Sequence, residues 1–207
     1  MTTLIVCRHG NTFGPEDTPT RVGARTDLPL VEKGFDQARA IGRWLKKNSI
    51  YPEAVYCSAL IRTRQTAEAA LKEAGYKEPV YALDIFNEID YGPDENKTEE
   101  DVIARLGEDA LKAWDKDALV PVGWQVDPQE IIRNWIDFAD HIVRDEQNCI
   151  MVVTSNGIAR FAPHITGDFD GFAARHKIKI STGGICVFDH DGQNWHVRDW
   201  NIRPELY

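Results

Sequence analysis

A basic residue, a histidine and a glycine come directly after a short apolar run near the amino terminus. The run Leu4-Ile5-Val6-Cys7 predicts a buried strand, and Arg8, His9 and Gly10 stand where that strand ends. In open α/β sheets ligands bind beyond the carboxyl ends of the strands, and a glycine there lets backbone N–H groups approach an anion closely. His9 is therefore the candidate nucleophile, although a lone histidine at such a place is more often an ordinary polar residue.

A second basic segment follows the next predicted strand. Ser58 comes directly after the apolar run 54–57 and is a natural cap for the helix that we predict from residue 60. The first-turn amides and the positive end of the helix dipole favour an anion, and Arg62 adds a planar guanidinium suited to phosphate oxygens. Taken alone, Arg62 is more simply read as a solvated arginine on an ordinary helix.

The elements that must position these residues alternate between strands and helices. Short apolar or β-branched runs predict strands at Leu4–Cys7, Ala54–Cys57, Val80–Leu83, Ile150–Val153, Gly184–Phe188 and Trp195–Trp200. Apolar residues three and four apart predict helices at Phe35–Lys47, Leu60–Ala74, Glu99–Lys116 and Pro128–Arg144, the last capped by Asp127. This alternation indicates an α/β fold, and the absence of a Pro/Ser-rich linker predicts a single domain over residues 1–207.

Several segments, in one order, resemble the histidine phosphatase superfamily, also called the phosphoglycerate mutase-like family. Its pattern is RHG near the amino terminus, then D-x-P-L followed by G-x-x-Q-A, then S-x-L-x-R-x-x-Q-T. The matching stretches here are Arg8–Gly10, Asp27–Leu30 with Gly34–Ala38, and Ser58–Thr66. The likeness extends through Glu88 to Gly92, which is similar to the family's E-x-x-x-G segment, and reaches Ser181–Gly184 and Asn201.

The resemblance implies a three-layer α/β/α sandwich with a mostly parallel central sheet, and a covalent mechanism on a small phosphorylated substrate. His9 would take the phosphoryl group, Arg8 and Arg62 would hold its oxygens, and Asn11 would add a donor. Glu88 would protonate the leaving oxygen and later activate water. No metal or other cofactor is expected. Nearby acids (Asp90, Asp94 and Glu95) would raise the pKa of Glu88 and basic neighbours would lower it, so the sign stays open.

This chain departs from the family pattern at one position of the expected phosphate pocket. The family has a second histidine in a segment reading V-V-T/S-H-G-G, whereas this chain has Ser155 at that place, followed by Asn156 and Gly157. Ser155 and Asn156 are expected to bind phosphate through a hydroxyl or through amides at a strand-to-helix junction, or merely to cap the helix. Three explanations compete: a phosphatase that tolerates the change, a phospho-ligand-binding protein with little turnover, and a site completed by another histidine (His164, His176, His190 or His196).

Charge and composition restrict the partners. The formal charge of −9 argues against a broad nucleic-acid or anionic-membrane surface. The first residues lack a basic segment and a long apolar run, which favours the cytoplasm. The four scattered cysteines are expected to be buried free thiols.

Substrate identity and oligomeric state stay open at this stage. A mutase is a weaker expectation because the chain between Glu88 and Val152 is short for a region that encloses substrate. Residues 91–127 are expected to form part of a lid, and the candidates for the pocket entrance are Phe13, Arg21, Trp124 and Arg160.

Overall fold

The centre of the fold is a six-stranded sheet. The computed structural model describes residues 1–205, and within them the strands are Thr2–Arg8 (β1), Ala54–Cys57 (β2), Val80–Ala82 (β3), Cys149–Thr154 (β4), Ile185–His190 (β5) and Trp195–Ile202 (β6). Their order across the sheet is β3-β2-β4-β1-β5-β6. Contacts among β1 to β4 are parallel, while β5 runs antiparallel to β1 and β6. The predicted α/β fold with a mostly parallel sheet is confirmed.

Helices connect these strands. The α-helices of residues 1–205 are Glu32–Lys47 (α1), Ile61–Ala74 (α2), Glu99–Leu106 (α3), Glu108–Asp117 (α4), Pro128–Arg144 (α5), Asn156–Ala159 (α6) and Phe169–Ala173 (α7). Short 3₁₀ turns lie at Asp84–Phe86, Gly92–Asp94 and Ala162–Thr166. In the same part of the chain, no helix is both long and apolar enough to span a membrane.

The two faces of the sheet bury different residues of the same strands. Ile5 and Cys7 of β1 pack with apolar side chains of α1 and α2, whereas Leu4 and Val6 belong to a second apolar cluster that includes α5. β4 alternates in the same way, and its central residues are fully buried on both faces. Because both faces are covered, these strands read as continuous apolar runs rather than as alternating ones.

Two local sequence predictions are wrong. We predicted one helix over residues 99–116, but Gly107 adopts a left-handed φ of 79° and divides it into α3 and α4. Ser58 does not cap α2, because that helix begins three residues later and its N-terminal Ile61 N–H donates to Asp27 Oδ1. The anion at this helix terminus is therefore the protein's own carboxylate.

The cap predicted for α5 is present. Asp127 Oδ1 accepts hydrogen bonds from the amides of Gln129 and Glu130, at 2.9 and 3.2 Å. The helix buries the face that carries Trp135 and Ile142. Its position is thus set by an apolar stripe and a capped amino end, both visible in the sequence.

Candidate active site

The candidate residues collect where β1 and β4 end. These two strands are parallel neighbours, with Arg8 in register with Thr154. The His9 amide donates to the Thr154 carbonyl at 3.0 Å, so the register continues by one residue and brings His9 beside Ser155. The carboxyl ends of parallel strands meet at one edge of a sheet, which is why residues 146 positions apart in sequence become neighbours.

Close backbone packing holds the turn that follows β1. Gly10 and Gly34 touch so closely that a Cβ on Gly10 would overlap the Gly34 carbonyl group. Gln37 Oε1 accepts from the Asn11 amide at 2.8 Å, and Thr66 Oγ1 accepts from the Gly10 amide at 3.1 Å. The glycine, glutamine and threonine of the sequence motifs therefore fix the backbone around His9.

His9 is held in one tautomer. Its Nδ1 lies 2.7 Å from the Gly10 carbonyl oxygen, which only accepts, so Nδ1 carries the proton and Nε2 of the neutral ring keeps its lone pair. Burial, and then the positive charges of Arg62 and Arg8, hold the pKa of His9 well below its usual value. A buried neutral imidazole with a free Nε2 is suited to nucleophilic attack.

Two guanidinium groups lie near this ring, and neither forms an ion pair with a carboxylate within residues 1–205. Arg62 is fully buried and donates to the Thr26, Val22 and Gly23 carbonyls, while Arg8 Nη1 donates to the Ile180 carbonyl at 2.6 Å. The Nε atoms of both arginines are buried and have no hydrogen-bonding partner within residues 1–205. Buried charge is costly unless it is paired, so this arrangement favours an anion.

Glu88 faces the same place. One carboxylate oxygen accepts from its neighbour's amide, that of Ile89, at 2.9 Å, and the other accepts from the Gly157 amide at 3.3 Å. A Cβ on Gly157 would overlap this carboxylate. Burial raises the pKa of Glu88, while Arg62, the two amides and Arg8 lower it, and the net direction is upward.

The sequence left the sign of the Glu88 pKa shift open, with Asp90, Asp94 and Glu95 as acids that could raise it. Asp90 pairs with Arg25, Asp94 pairs with Arg105, and Glu95 accepts from loop amides, so these acids act as structural groups. The upward shift comes from desolvation.

Ser155 and Asn156 occupy different positions. Ser155 is fully buried and stands at the N-cap position of α6, as one alternative predicted, but its Oγ makes no capping hydrogen bond and has no partner in the described part of the chain. Asn156 lines the cavity and its Oδ1 accepts from the Ile180 amide at 2.8 Å. The Gly157 amide is occupied by Glu88 and is not open to a ligand.

Comparison with known protein families shows which superfamily the chain belongs to. The sequence profile of the histidine phosphatase superfamily (branch 1) matches residues 4–203. The chain belongs to this superfamily. Its relatives include the 2,3-bisphosphoglycerate-dependent phosphoglycerate mutase of Methylobacterium sp. (strain 4-46), 34% identical over 57% of this chain and 56% of that protein. The corresponding mutase of Clavibacter sepedonicus is 29% identical over 87% of this chain and 70% of that protein.

For several of these curated mutases, the match spans only about half of their length. Solved structures are similar to this chain over nearly its whole length, although their sequence identity to it is low. A mycobacterial glucosyl-3-phosphoglycerate phosphatase aligns with a TM-score of 0.80 at 20% identity, covering 97% of this chain and 99% of that one. The alpha-ribazole phosphatase of Shigella flexneri aligns with a TM-score of 0.74 at 21% identity and 98% coverage of both chains.

In this histidine phosphatase superfamily member, a cavity of about 930 Å³ opens at the strand ends. Five of the predicted site residues line it: Arg8, His9, Asn11, Glu88 and Asn156. Arg62 and Ser155 are fully buried and are not among its lining residues. Asn11 lies at its edge, where Asn11 Oδ1 accepts from the Thr182 hydroxyl.

Some of the residues predicted for the pocket entrance line the cavity. Phe13, Arg21 and Arg160 line it as expected, but Trp124 does not: it is buried against Tyr91 and Trp114, with Nε1 donating to Asp94. Several lining residues were not singled out from the sequence, among them Tyr91, Trp114, Asp115 and Lys179. Tyr91 stands three residues after Glu88, which was a usable signal. The other three of these come from the segment 91–127 and from the loop before β5, where no motif marked them.

No group of three or more His, Cys, Asp or Glu side chains within residues 1–205 is arranged to hold a metal ion. The four cysteines are free, and three of them are buried.

Proposed function

We propose that this chain hydrolyses a phosphate monoester through a phosphohistidine on His9. The observation that carries the proposal is a neutral, buried imidazole with an unprotonated Nε2, near two arginines that pair with no carboxylate of the described residues and in one cavity with a carboxyl group whose pKa is raised. Superfamily membership and the phosphatases among the structural neighbours support phosphatase chemistry in general.

In the first step, His9 Nε2 forms a bond to phosphorus while the bond from phosphorus to the ester oxygen breaks. Arg8 and Arg62, whose charges both act on His9, supply positive charge for the non-bridging oxygens, which carry the charge in the transition state. Glu88, in its protonated form, gives its proton to the leaving alcohol. The arginines neutralise this charge without a metal ion.

In the second step, the carboxylate that Glu88 has become accepts a proton from water as that water attacks phosphorus. The bond between His9 and phosphorus breaks, and inorganic phosphate leaves with the imidazole again neutral. The raised pKa suits Glu88 to both roles, since a group that exchanges protons efficiently has a pKa near the working pH.

Ser155 and Asn156 together stand in for the second histidine in this proposal. Ser155 follows Thr154 as His9 follows its register partner Arg8, and its buried hydroxyl has no hydrogen-bonding partner within residues 1–205. Because Asn156 Oδ1 accepts from an N–H, the amide orientation is fixed and Nδ2 is left for the cavity that Asn156 lines. Both donors are neutral, so we expect less stabilisation of the transition state than a histidine gives.

The second candidate function is a phospho-ligand-binding protein with little turnover, and the replaced histidine favours it. A mutase is a weaker candidate because the segment 91–127 contributes only two short helices over the cavity. The third explanation, a histidine from elsewhere, has no support: none of His164, His176, His190 and His196 is among the cavity-lining residues.

Covalent labelling tests the proposal. Protein incubated with a radiolabelled phosphodonor should acquire acid-labile, base-stable phosphate on His9, and His9→Ala should acquire none. His141→Ala is the matched control, since this histidine is exposed on α5 and does not line the cavity. Turnover of a phosphoester panel should continue in the presence of EDTA. Absence of both label and hydrolysis, with inorganic phosphate still bound, would establish the binding function instead.

A further inference from the structure

One planar peptide group connects Arg8 to a distant asparagine. Ile180 is fully buried, and its carbonyl accepts from Arg8 Nη1 at 2.6 Å. The N–H at the other end of the same peptide group belongs to Ser181, and it donates to Asn201 Oδ1 at 2.8 Å. The six atoms of a peptide group are coplanar, so fixing its N–H also fixes the direction of its C=O.

We propose that Asn201 is a positioning residue that aims the Arg8 guanidinium at the phosphoryl group through this peptide plane. The proposal rests on the function proposed above, in which Arg8 binds phosphate. Asn201 contacts neither substrate nor His9 in this scheme. It acts only by holding Ser181, and through Ser181 the carbonyl of Ile180.

The backbone at Asn201 is shaped for this contact. The residue has a left-handed φ of 56° although it lies within β6, next to an irregular stretch of the β5–β6 pairing. Its amide turns to Cys186 Sγ at 3.4 Å, and its side-chain Nδ2 donates to Ser181 Oγ at 3.4 Å. Asparagine is among the few non-glycine residues that accept this conformation readily.

The loop of residues 180–184, which precedes β5, is also hydrogen-bonded to the end of β1 and to the turn that follows it. The Gly183 amide donates to the carbonyls of Arg8 and His9, and the Thr182 hydroxyl donates to Asn11 Oδ1. The Ile180 amide orients Asn156, as described above. The loop therefore contacts four of the proposed site residues, and Asn201 of β6 holds the loop at Ser181.

Replacement of Asn201 by glycine tests the proposal, because glycine keeps the left-handed φ without strain and removes both side-chain contacts to Ser181, the Oδ1 acceptor and the longer Nδ2 donor. We expect N201G to weaken binding of inorganic phosphate about tenfold, as a displaced binding group does. Asn201→Asp keeps an oxygen acceptor for Ser181 and should bind phosphate within about threefold of wild type. Asn194→Gly is the control for the cost of an added glycine, since Asn194 is exposed in the β5–β6 hairpin and does not line the cavity.

A double-mutant cycle shows whether the effect passes through Arg8. If it does, N201G should change the phosphate Kd less than about twofold in an Arg8→Ala background, because coupled residues are not additive. An undiminished effect in that background, a wild-type Kd for N201G, or a Kd for N201D as weak as that of N201G would overturn the positioning role while the proposed function stands. A wild-type protein that binds no phosphate and forms no phosphohistidine would overturn both.

Discussion

Ser155→Ala should have different effects on the stability of the protein and on its proposed activity. The Ser155 side chain is fully buried and its Oγ makes no hydrogen bond within residues 1–205. A buried polar group without a partner costs about 1 to 3 kcal/mol of desolvation. Removing the hydroxyl therefore removes a cost and breaks no bond, so we expect the free energy of unfolding to stay constant or to rise by about 1 kcal/mol.

The same substitution should slow the reaction. Loss of one preorganised oxyanion donor typically costs about 2.7 to 4 kcal/mol. The Ser155 hydroxyl is neutral and shares its role with Asn156, so we place its contribution lower, at about 1.4 to 2.7 kcal/mol. At about 1.36 kcal/mol per factor of ten, turnover should fall about 10-fold to 100-fold. A gain in stability together with a loss in rate is the expected pattern of a group kept for function.

Ser58→Ala is the matched control. Ser58 is also a fully buried serine directly after a parallel strand, but its Oγ accepts from the Leu60 amide and bonds Thr63 Oγ1. That variant should lose about 1 to 2 kcal/mol of stability through the broken hydrogen bonds. The assays are urea unfolding and kcat on p-nitrophenyl phosphate. The reasoning fails if Ser155→Ala turns over at the wild-type rate, or if it is destabilised as much as Ser58→Ala.

Two further substitutions bear on the same pocket. Ser155→His should raise kcat if the site merely lacks a charged donor, whereas an unchanged or lower kcat would mean that the pocket is organised around serine. Glu88→Gln should lower kcat about 10² to 10⁴-fold and abolish the decline of kcat/KM at alkaline pH, because the amide does not titrate. Between the ordinary pKa of 4.5 and the raised folded-state pKa of Glu88, the unfolded chain releases this proton first, so the contribution of Glu88 to wild-type stability falls with rising pH. Relative to wild type, Glu88→Gln should accordingly gain stability as the pH rises above 4.5; urea unfolding at pH 4 and pH 8 checks this, and a pH-independent difference contradicts it.

Local signals in the sequence were enough for the sheet and for the long helices. β2 and α5 have the predicted bounds, because an apolar run or a capped amphipathic stripe determines each of them over a few neighbouring residues. The split at Gly107 was missed because the charges of Glu99–Lys116 suit one helix as well as two. A left-handed glycine cannot be distinguished from an ordinary one by composition.

Contacts between distant segments could not be predicted from such local signals. Nothing adjacent to Asp27 shows that its carboxylate will occupy the amino end of α2, so Ser58 was the reasonable but wrong cap. Trp124 was likewise a reasonable candidate for the pocket entrance, yet the Asp94 carboxylate and the rings of Tyr91 and Trp114 hold it inside the core. The link from Asn201 to Arg8 depends on a bulged strand pairing, whose register the sequence does not specify.

The electrostatics of the pocket follow from burial more than from neighbouring acids. Burial disfavours whichever form is charged, so it lowers the pKa of His9 and raises that of Glu88. The charges of Arg8 and Arg62 lower both values, and for Glu88 they oppose burial without overcoming it. A phosphate dianion bound between the arginines would offset their charge and raise the pKa of Glu88 further. The substrate itself would thus help to keep the acid protonated until the ester bond breaks, while the hydrogen bond from His9 Nδ1 to Gly10 keeps the proton on Nδ1 and the lone pair on Nε2.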